Sequence, residues 1–286
     1  MSLSLKHRVF RAGIGAIEWG LEIISRDAWL KTAVVAMESM DLTREVATPR
    51  GPIKFWCDSE TARIRARGML IREPETLRWI EEMTSNDILL DIGCNVGVFT
   101  LYAAVASKAR VIALDPLPFN ISGLARNARL NQATDRISAF CVAMTDRTRI
   151  SDLHMIPDAS MTGGAGSSFG QPVDNYGIEY EPEYRLATMG FSLDDFFSIF
   201  QLPMPTHLKM DIDGPPQFVL SGGERVLSSP TLRHAMCEIT PGKDSFANFV
   251  KDMKRFGFRH DRTVAASPNQ GTDVERFSTN NFFVKS

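Results

Sequence analysis

From Ile53 onward, short apolar runs alternate with stretches whose apolar residues recur every three or four positions. Ile88–Leu90 is an apolar run of the kind that makes a strand buried on both faces, and Arg110–Leu114, Ile137–Val142, His207–Met210 and His234–Ile239 read as further strands. Between them the spacing predicts helices over 73–83, from Val98, over 121–131, 217–227 and 245–256. A short strand at 53–57, a strand and helix within 191–200, a strand at Phe258 and a last strand over 281–285 complete the pattern. Strands alternating with helices imply an α/β fold with a mostly parallel sheet wound on both faces.

Two regions depart from this alternation. Residues 3–26 read as an amphipathic helix with Phe10, Ile14, Ile17, Leu21 and Ile24 on one face, weakened by Gly13, Gly15 and Gly20. Such a helix would cap the main domain or pair with a second copy; an interfacial membrane helix is the sharper alternative. A second helical segment runs from Ala28 to Met40, and Pro49-Arg50-Gly51-Pro52 marks a boundary. The expected division is therefore a helical extension over 1–48 and a main domain over 49–286. Residues 157–185 show no sustained period and carry a glycine-rich run, Gly163 to Gly170, the mark of a functional or disordered loop. Phe169, Tyr176, Tyr180 and Tyr184 would offer it flat surfaces for an acceptor.

The candidate chemistry starts where the first buried strand ends. Asp91-Ile92-Gly93-Cys94-Asn95-Val96-Gly97 reads as strand end, tight glycine turn and helix start. Gly93 permits a backbone conformation closed to other residues, Gly97 a close approach, and the helix start offers free N–H groups to an anion. A dinucleotide turn needs three glycines at Gly-x-Gly-x-x-Gly, which this stretch lacks. An acid before a Gly-x-x-x-Gly turn suits a ligand with an ammonium beside a carboxylate, as in S-adenosylmethionine. Asp91 would face the ammonium and the turn amides the carboxylate. Asp115 ends the next strand, where an acid can hold both ribose hydroxyls.

Composition narrows the partners. The formal charge of −2 over 286 residues and the lack of a long basic run give no argument for nucleic acid. Four scattered cysteines without Cys-x-x-Cys read as reduced thiols, no stretch is apolar enough for a bilayer span, and the expected location is the cytoplasm. The basic stretch Arg63-Ile64-Arg65-Ala66-Arg67 reads as a solvated face before it reads as an anion site.

An ordered set of motifs resembles the FkbM-type family of S-adenosylmethionine-dependent methyltransferases. It comprises Glu73-Pro74-Glu75-Thr76, the Asp91–Gly97 turn, Asp115-Pro116 with Asn120, Asn127 and Asn131, the Gly163–Gly170 loop, Leu193-Asp194-Asp195, and Lys209-Met210-Asp211-Ile212-Asp213-Gly214. The resemblance covers residues 49–286. It implies a Rossmann-like class I methyltransferase fold with an antiparallel last strand, and O-methylation of a hydroxyl on a sugar, glycoconjugate or natural product. It implies cofactor contacts from Glu73, Thr76, Asp91, Gly93, Asn95, Gly97, Phe99, Thr100, Asp115, Pro116, Asn120, Ala143, Met144 and Asp211. Pro216 stands where the family has an acid, which keeps alive a second reading, a catalytically silent binding protein on the same fold.

For the chemistry itself the carboxyl ends of the strands single out Asp211, Asp213 and Glu238. Asp211 could accept the acceptor's proton, join Glu238 as an oxygen ligand of a divalent cation, or orient the cofactor's ammonium. Asp213, before Gly214-Pro215, suits the capping of a turn. The expected partner is a small-molecule or saccharide acceptor, with the N-terminal helix as a surface for homo-oligomer contact.

Overall fold

In the computed structural model, residues 13, 15, 25–174, 177–239, 243–261 and 279–285 are described, and the chain divides into two units, 1–42 and 43–286. In the first, Arg26–Ser39 forms helix α1, capped by Ser25, whose hydroxyl accepts from the Ala28 amide. The helix expected over 3–26 lies, but for Gly13, Gly15 and its last two residues, outside the described residues.

The second unit opens with a hairpin, β1 (Thr43–Thr48) against β2 (Gly51–Trp56). The Pro49–Pro52 stretch expected to divide domains is its turn: the Thr48 hydroxyl accepts from Arg50 N, and Gly51 takes φ +111°. By its internal contacts this unit begins at Thr43. Helix α2 (Glu60–Arg72) follows, capped by Ser59, which bonds Ala62 N at 2.9 Å. The charges read as a solvated basic face ride on this helix, while Ala62, Ala66 and Met69 form its buried face. Helix α3 (Pro74–Glu81) starts with proline in its first turn.

The main body then alternates as expected: β3 (Ile88–Ile92), α4 (Val98–Ala106), β4 (Arg110–Leu114), α5 (Pro118–Leu130) and β5 (Ile137–Phe140). After the short β6 (Ala143–Met144) comes a strand the sequence did not reveal, β7 (Arg149–Met155). With β8 (Ser167–Phe169) and β9 (Tyr184–Phe191) these build a four-stranded sheet in the order β6-β9-β7-β8, so the region expected as one long loop contributes β8 from its interior and the start of β9 at its end. Then come α6 (Leu193–Ile199), β10 (His207–Met210), α7 (Gln217–Ser221), α8 (Glu224–Ser228), β11 (His234–Ile239), α9 (Lys243–Arg255), β12 (Phe258–Asp261) and β13 (Thr279–Lys285). The single helix expected over 217–227 is split at Gly222-Gly223. A Cβ on Gly222 would stand 2.9 Å from the Asp146 carbonyl oxygen and closer still to that of Thr145, so the chain passes tightly here.

The main sheet has the order β12-β13-β11-β10-β3-β4-β5. Strands β11, β10, β3, β4 and β5 are mutually parallel, and β13 runs antiparallel to both neighbours. This is the expected class I arrangement with its reversed last strand. Side chains on β3 divide by parity: Ile88, Leu90 and Ile92 enter one core and Leu89 the other. On β10, Leu208 and Met210 join the first core, which turns Lys209 toward the second. The register then sets Lys209 directly beside Asp91.

Two asparagines of α5 fasten the hairpin to this frame. Asn127 Oδ1 accepts from Trp56 N while its Nδ2 donates to the Val96 carbonyl, at 2.6 and 2.9 Å. Asn131 takes both backbone groups of Lys54. The asparagines thus act as a substitute strand along β2, and Asn127 also fixes the glycine turn.

At the amino ends of the strands, His207 is buried and stacked on His234 with centroids 4.8 Å apart, and Trp79 meets its edge. Burial and the neighbouring His234 lower the His207 pKa to about 4, against the opposing pull of Asp87 at 3.8 Å. Burial wins, so at neutral pH the ring is uncharged and Asp87 is held by Thr84 and Arg233 instead. A histidine lowered from about 6.5 adds stability that is fully present above that value and lost as pH falls toward about 4, a loss of about 3 kcal/mol. Urea unfolding between pH 7 and 4 should show this loss, and His207→Gln should reduce it by more than half. Equal pH slopes in the two proteins would remove His207 as the cause.

Candidate active site

The site grows from one buried cation. Lys209 Nζ stands 3.2 Å from Asp211 Oδ2 and 3.8 Å from Asp91 Oδ1, and 5.0 Å above the Phe99 ring. Burial alone would lower its pKa, but Asp211, Asp91 and Glu73 outweigh burial and hold the lysine charged. Asp91 is 1 % exposed; its Oδ2 accepts from Thr100 Oγ1 at 2.6 Å, and burial raises its pKa against the pull of Lys209. Asp91, expected to face a ligand's ammonium, lies buried beneath the turn, with Lys209 and Thr100 beside it and its Oδ1 without a hydrogen-bond partner among the described residues. Thr100 is spent on the same contact, and Thr76 is buried against Glu73 and Asn280. Gly97 (φ +85°) packs against Leu124, so its missing side chain serves helix–helix approach.

Above this base lies an open cavity of about 930 Å³ at the carboxyl ends of β3, β4 and β10. Of the expected residues, Gly93, Asn95, Asp115, Pro116, Asn120, Ala143, Met144, Asp211 and Asp213 line it. Gly93 has φ +81°, and a Cβ there would run into the Asp211 carbonyl oxygen. Asp115, just after β4, is one of three carboxylates that line this cavity, with Asp211 and Asp213. Burial raises its pKa to about 6, although Leu117 N, Asn120 Nδ2 and Asn95 N all donate to it. An acid at a strand end, a glycine turn open to close backbone approach and an apolar wall at Ala143–Met144 fit an adenosyl group.

A second cavity of about 450 Å³ shares the walls Arg65, Gly93, Asn95 and Asp211 with the first. Glu73 and Phe99 line it, together with Arg72 and Lys209. The Glu73 carboxylate accepts from Asn280 at 2.8 Å, and burial raises its pKa, opposed mainly by Lys209.

Asp211 spans both cavities with its side chain 35 % exposed. Burial disfavours its charge, yet the Lys209 ammonium and a hydrogen bond from Glu238 bring its pKa to about 2. The Asp211 charge, with burial, pushes Glu238 up to about 10, so Glu238 holds a proton and donates it to Asp211. Glu238 lines neither cavity. Among the described residues no three His, Cys, Asp or Glu side chains converge as metal ligands, and Asp211 is already taken by the Glu238 proton and the Lys209 ammonium. These residues do not fit the divalent cation considered from sequence.

Asp213 does not cap its own turn as expected. It accepts from Gly166 N at 2.6 Å and Ser167 N at 3.4 Å, holding the glycine-rich segment across the cavity. Asn120 receives Gly163 N and donates to the Gly164 carbonyl, and Asn95 Nδ2 donates to the same oxygen. Arg65 Nε reaches the Gly163 carbonyl at 3.3 Å. Sequence reading missed this role for Arg65, and missed Thr145, Ser168 and Phe218 as cavity walls; the placement of Arg65, four residues before the buried Met69 and three after Ala62, was the available signal.

A mostly parallel sheet with one reversed strand beside its edge, and a glycine turn facing an acidic strand end, is a Rossmann-like α/β architecture. The sequence model of the methyltransferase FkbM domain matches residues 91–260, more than half of the chain, and the protein belongs to that family. A Ribosomal protein L11 methyltransferase of Herpetosiphon aurantiacus is 38 % identical over 56 residues, covering 20 % of this chain and 17 % of that protein. Among solved structures, the methyltransferase FkbM from Methylobacillus flagellatus has a TM-score of 0.46 at 15 % identity, over 79 % of this chain and 55 % of that one. An S-adenosylmethionine-dependent methyltransferase from Agrobacterium tumefaciens gives 0.46 at 10 % identity, over 88 % and 72 %. The chain thus spans about a sixth and about half of the first two. No helix among the described residues is long and apolar enough to cross a membrane.

The Asp213 contacts have a direct readout. Asp213→Ala should speed amide hydrogen exchange at Gly166 and Ser167 by about tenfold or more, with the main-sheet amides unchanged. Unchanged protection at Gly166 would show that the segment is held from elsewhere.

Proposed function

We propose that the protein transfers a methyl group from S-adenosylmethionine to a hydroxyl of a sugar, glycoconjugate or natural product. The observation that carries this reading is the large cavity that gathers the glycine turn, Asp115, Ala143–Met144 and Asp211. The cofactor supplies an electrophilic methyl on a sulfonium. Asp115 accepts the ribose hydroxyls, Gly93 admits close backbone contact, and Ala143 and Met144 pack the base. Positioning of the acceptor oxygen carries much of the rate, up to about 7–11 kcal/mol in favourable cases. The glycine-rich segment and Phe169 close over the acceptor and exclude water.

Asp211, with its pKa near 2, is too weak a base to deprotonate an alcohol beforehand. Its charge instead stabilises positive charge growing on the acceptor oxygen, and it takes the proton once the oxygen is methylated and strongly acidic. Asp211→Asn should therefore lower turnover about a hundredfold while the fold survives. The assay is release of S-adenosylhomocysteine with a panel of glycosides and hydroxylated aromatics, total RNA serving as a further acceptor. Methylation of the RNA alone would replace the acceptor class. Cofactor binding without turnover on any acceptor would favour the silent-scaffold reading that Pro216 suggests. Normal turnover by Asp211→Asn would leave positioning alone to carry the rate.

The Asp115 reading has its own pH test. Its ionised form accepts the hydroxyls, so cofactor affinity is full above pH 6 and falls below it by up to about tenfold per unit. Calorimetry with S-adenosylhomocysteine between pH 8 and 5 should show this, and Asp115→Asn should bind weakly and without that slope. A slope that survives in Asp115→Asn would move it to another group.

A further inference from the structure

Helix α2 carries apolar side chains out into solvent. At about 3.6 residues per turn its buried residues Ala62, Ala66 and Met69 share one side. Thr61, Ile64, Gly68 and Ile71, spaced three, four and three apart, form a stripe roughly opposite. Ile64 is 39 % exposed and Ile71 64 %. The stripe continues off the helix, where the exposed Met161 places its sulfur 3.4 Å from the Thr61 hydroxyl. Gly68 keeps the middle of the stripe low. A Cβ there would stand 2.9 Å from Arg72 Cδ, so the Arg72 stem lies along the helix in the space that the missing side chain leaves.

The flanks of this stripe are basic. On the same helical count Arg63 and Arg67 border it on one side, Arg65 and Arg72 on the other. Arg63 pairs with Glu60, the one acid of the helix, and among the described residues Arg65, Arg67 and Arg72 form no ion pair. A single exposed isoleucine is ordinary, but two on one stripe between arginines are matched by few surfaces. A nucleic-acid backbone would meet the arginines and gain nothing from the isoleucines. A protein interface is usually anchored by an aromatic side chain in a pocket, and residues 60–72 contain no aromatic. An anionic bilayer meets both features: its acyl boundary takes the aliphatic stripe, and its phosphates take the arginines beside it.

We propose that helix α2 docks the protein on an anionic bilayer surface, with Ile64, Ile71 and Met161 entering the headgroup boundary and Arg67 and Arg72 on lipid phosphates. Such docking is peripheral and needs no spanning helix. The surface lies beside both cavities. Arg65 lines both, Gly68 and Arg72 line the smaller, and the segment that bears Met161 continues to Gly164 and Ala165 in the wall of the larger. The proposal does not depend on which reaction those cavities serve.

Co-sedimentation of the full chain with vesicles tests this. Wild-type protein should bind vesicles of phosphatidylcholine with about one third phosphatidylglycerol, bind pure phosphatidylcholine about tenfold or more weakly, and release as salt is raised. Ile64→Ser combined with Ile71→Ser should lose about tenfold or more on the anionic vesicles. Arg67→Glu should lose about as much there and little on pure phosphatidylcholine. All three positions are exposed, so both variants should keep the wild-type thermal midpoint, and Arg67→Glu alone carries the test if the double variant does not fold. Wild-type protein that stays in solution with anionic vesicles would overturn the proposal. So would full binding by both variants, which would put the contact elsewhere in the chain. Binding to total RNA without binding to vesicles, weakened by Arg67→Glu alone, would make nucleic acid the partner instead. A dimer in vesicle-free solution that the isoleucine changes dissolve would make the stripe a contact between copies, and that too would overturn it.

Discussion

A charged lysine inside the sheet is the constraint on which the rest of the site depends. Lys209 is 1 % exposed, and only the carboxylates around it make that position tenable. Each of those carboxylates belongs to a different part of the fold. Asp91 ends β3, Asp211 follows β10, and Glu73 precedes α3. Removing one member of such a buried group typically costs about 3–5 kcal/mol, because a charge is left without its counterpart. The cation therefore binds three segments to one point and fixes where the acids of the site can stand. It also decides their chemistry, since it keeps Asp211 ionised.

The frame around the site was legible in the sequence to the extent that it follows from local pattern. Ile88–Leu90, the Gly93–Gly97 turn and Asp115 could be read because a doubly buried strand has a continuous apolar signature and a glycine turn has few alternatives. The reversed last strand came with the family resemblance, and the β13 pairing agrees with it. Helix α2 was hidden because its arginines and Glu60 dilute a buried face of only Ala62, Ala66 and Met69. Strand β7 was hidden because its outer half, from Arg149 to Asp152, is polar or exposed, as for Ile150 at 76 %. The fate of Asp91 needed information that no single segment contains. Side-chain parity sends it to the same face as Leu89, but only the register between β3 and β10 reveals that Lys209 waits there.

Asparagine amides do the joining that a longer loop-rich chain would leave to water. Asn95, Asn120, Asn127 and Asn131 each use the amide both as donor and as acceptor toward backbone. A carboxylate could accept from Gly163 N or Trp56 N but could not also donate to Gly164 or Val96. This two-way bonding explains why Asn120 and Asn127 tolerate full burial at helix α5, and why the glycine-rich segment lies over the cavity in a defined path. Gly163 completes that path at φ +82°, where a Cβ would meet the Ala62 amide at 2.8 Å.

Burial and neighbours drive two acids of one cavity in opposite directions. Asp115, with hydrogen bonds but no cation beside it, is raised to about 6; Asp211, beside Lys209 and Glu238, is lowered to about 2. Pairs pushed apart in this way usually divide roles between them. Here the division runs against the common pattern of a base tuned near neutrality. The group that titrates near physiological pH belongs to the end of the cavity read as the ribose subsite, whereas the group near the proposed chemistry keeps its charge throughout. Under the proposed reading, a loss of activity on mild acidification would then report weaker cofactor binding rather than a protonated base. The proton leaving the acceptor finds a carboxylate that is always ready but never strongly basic. That suits a reaction in which the oxygen becomes acidic only after it has been methylated.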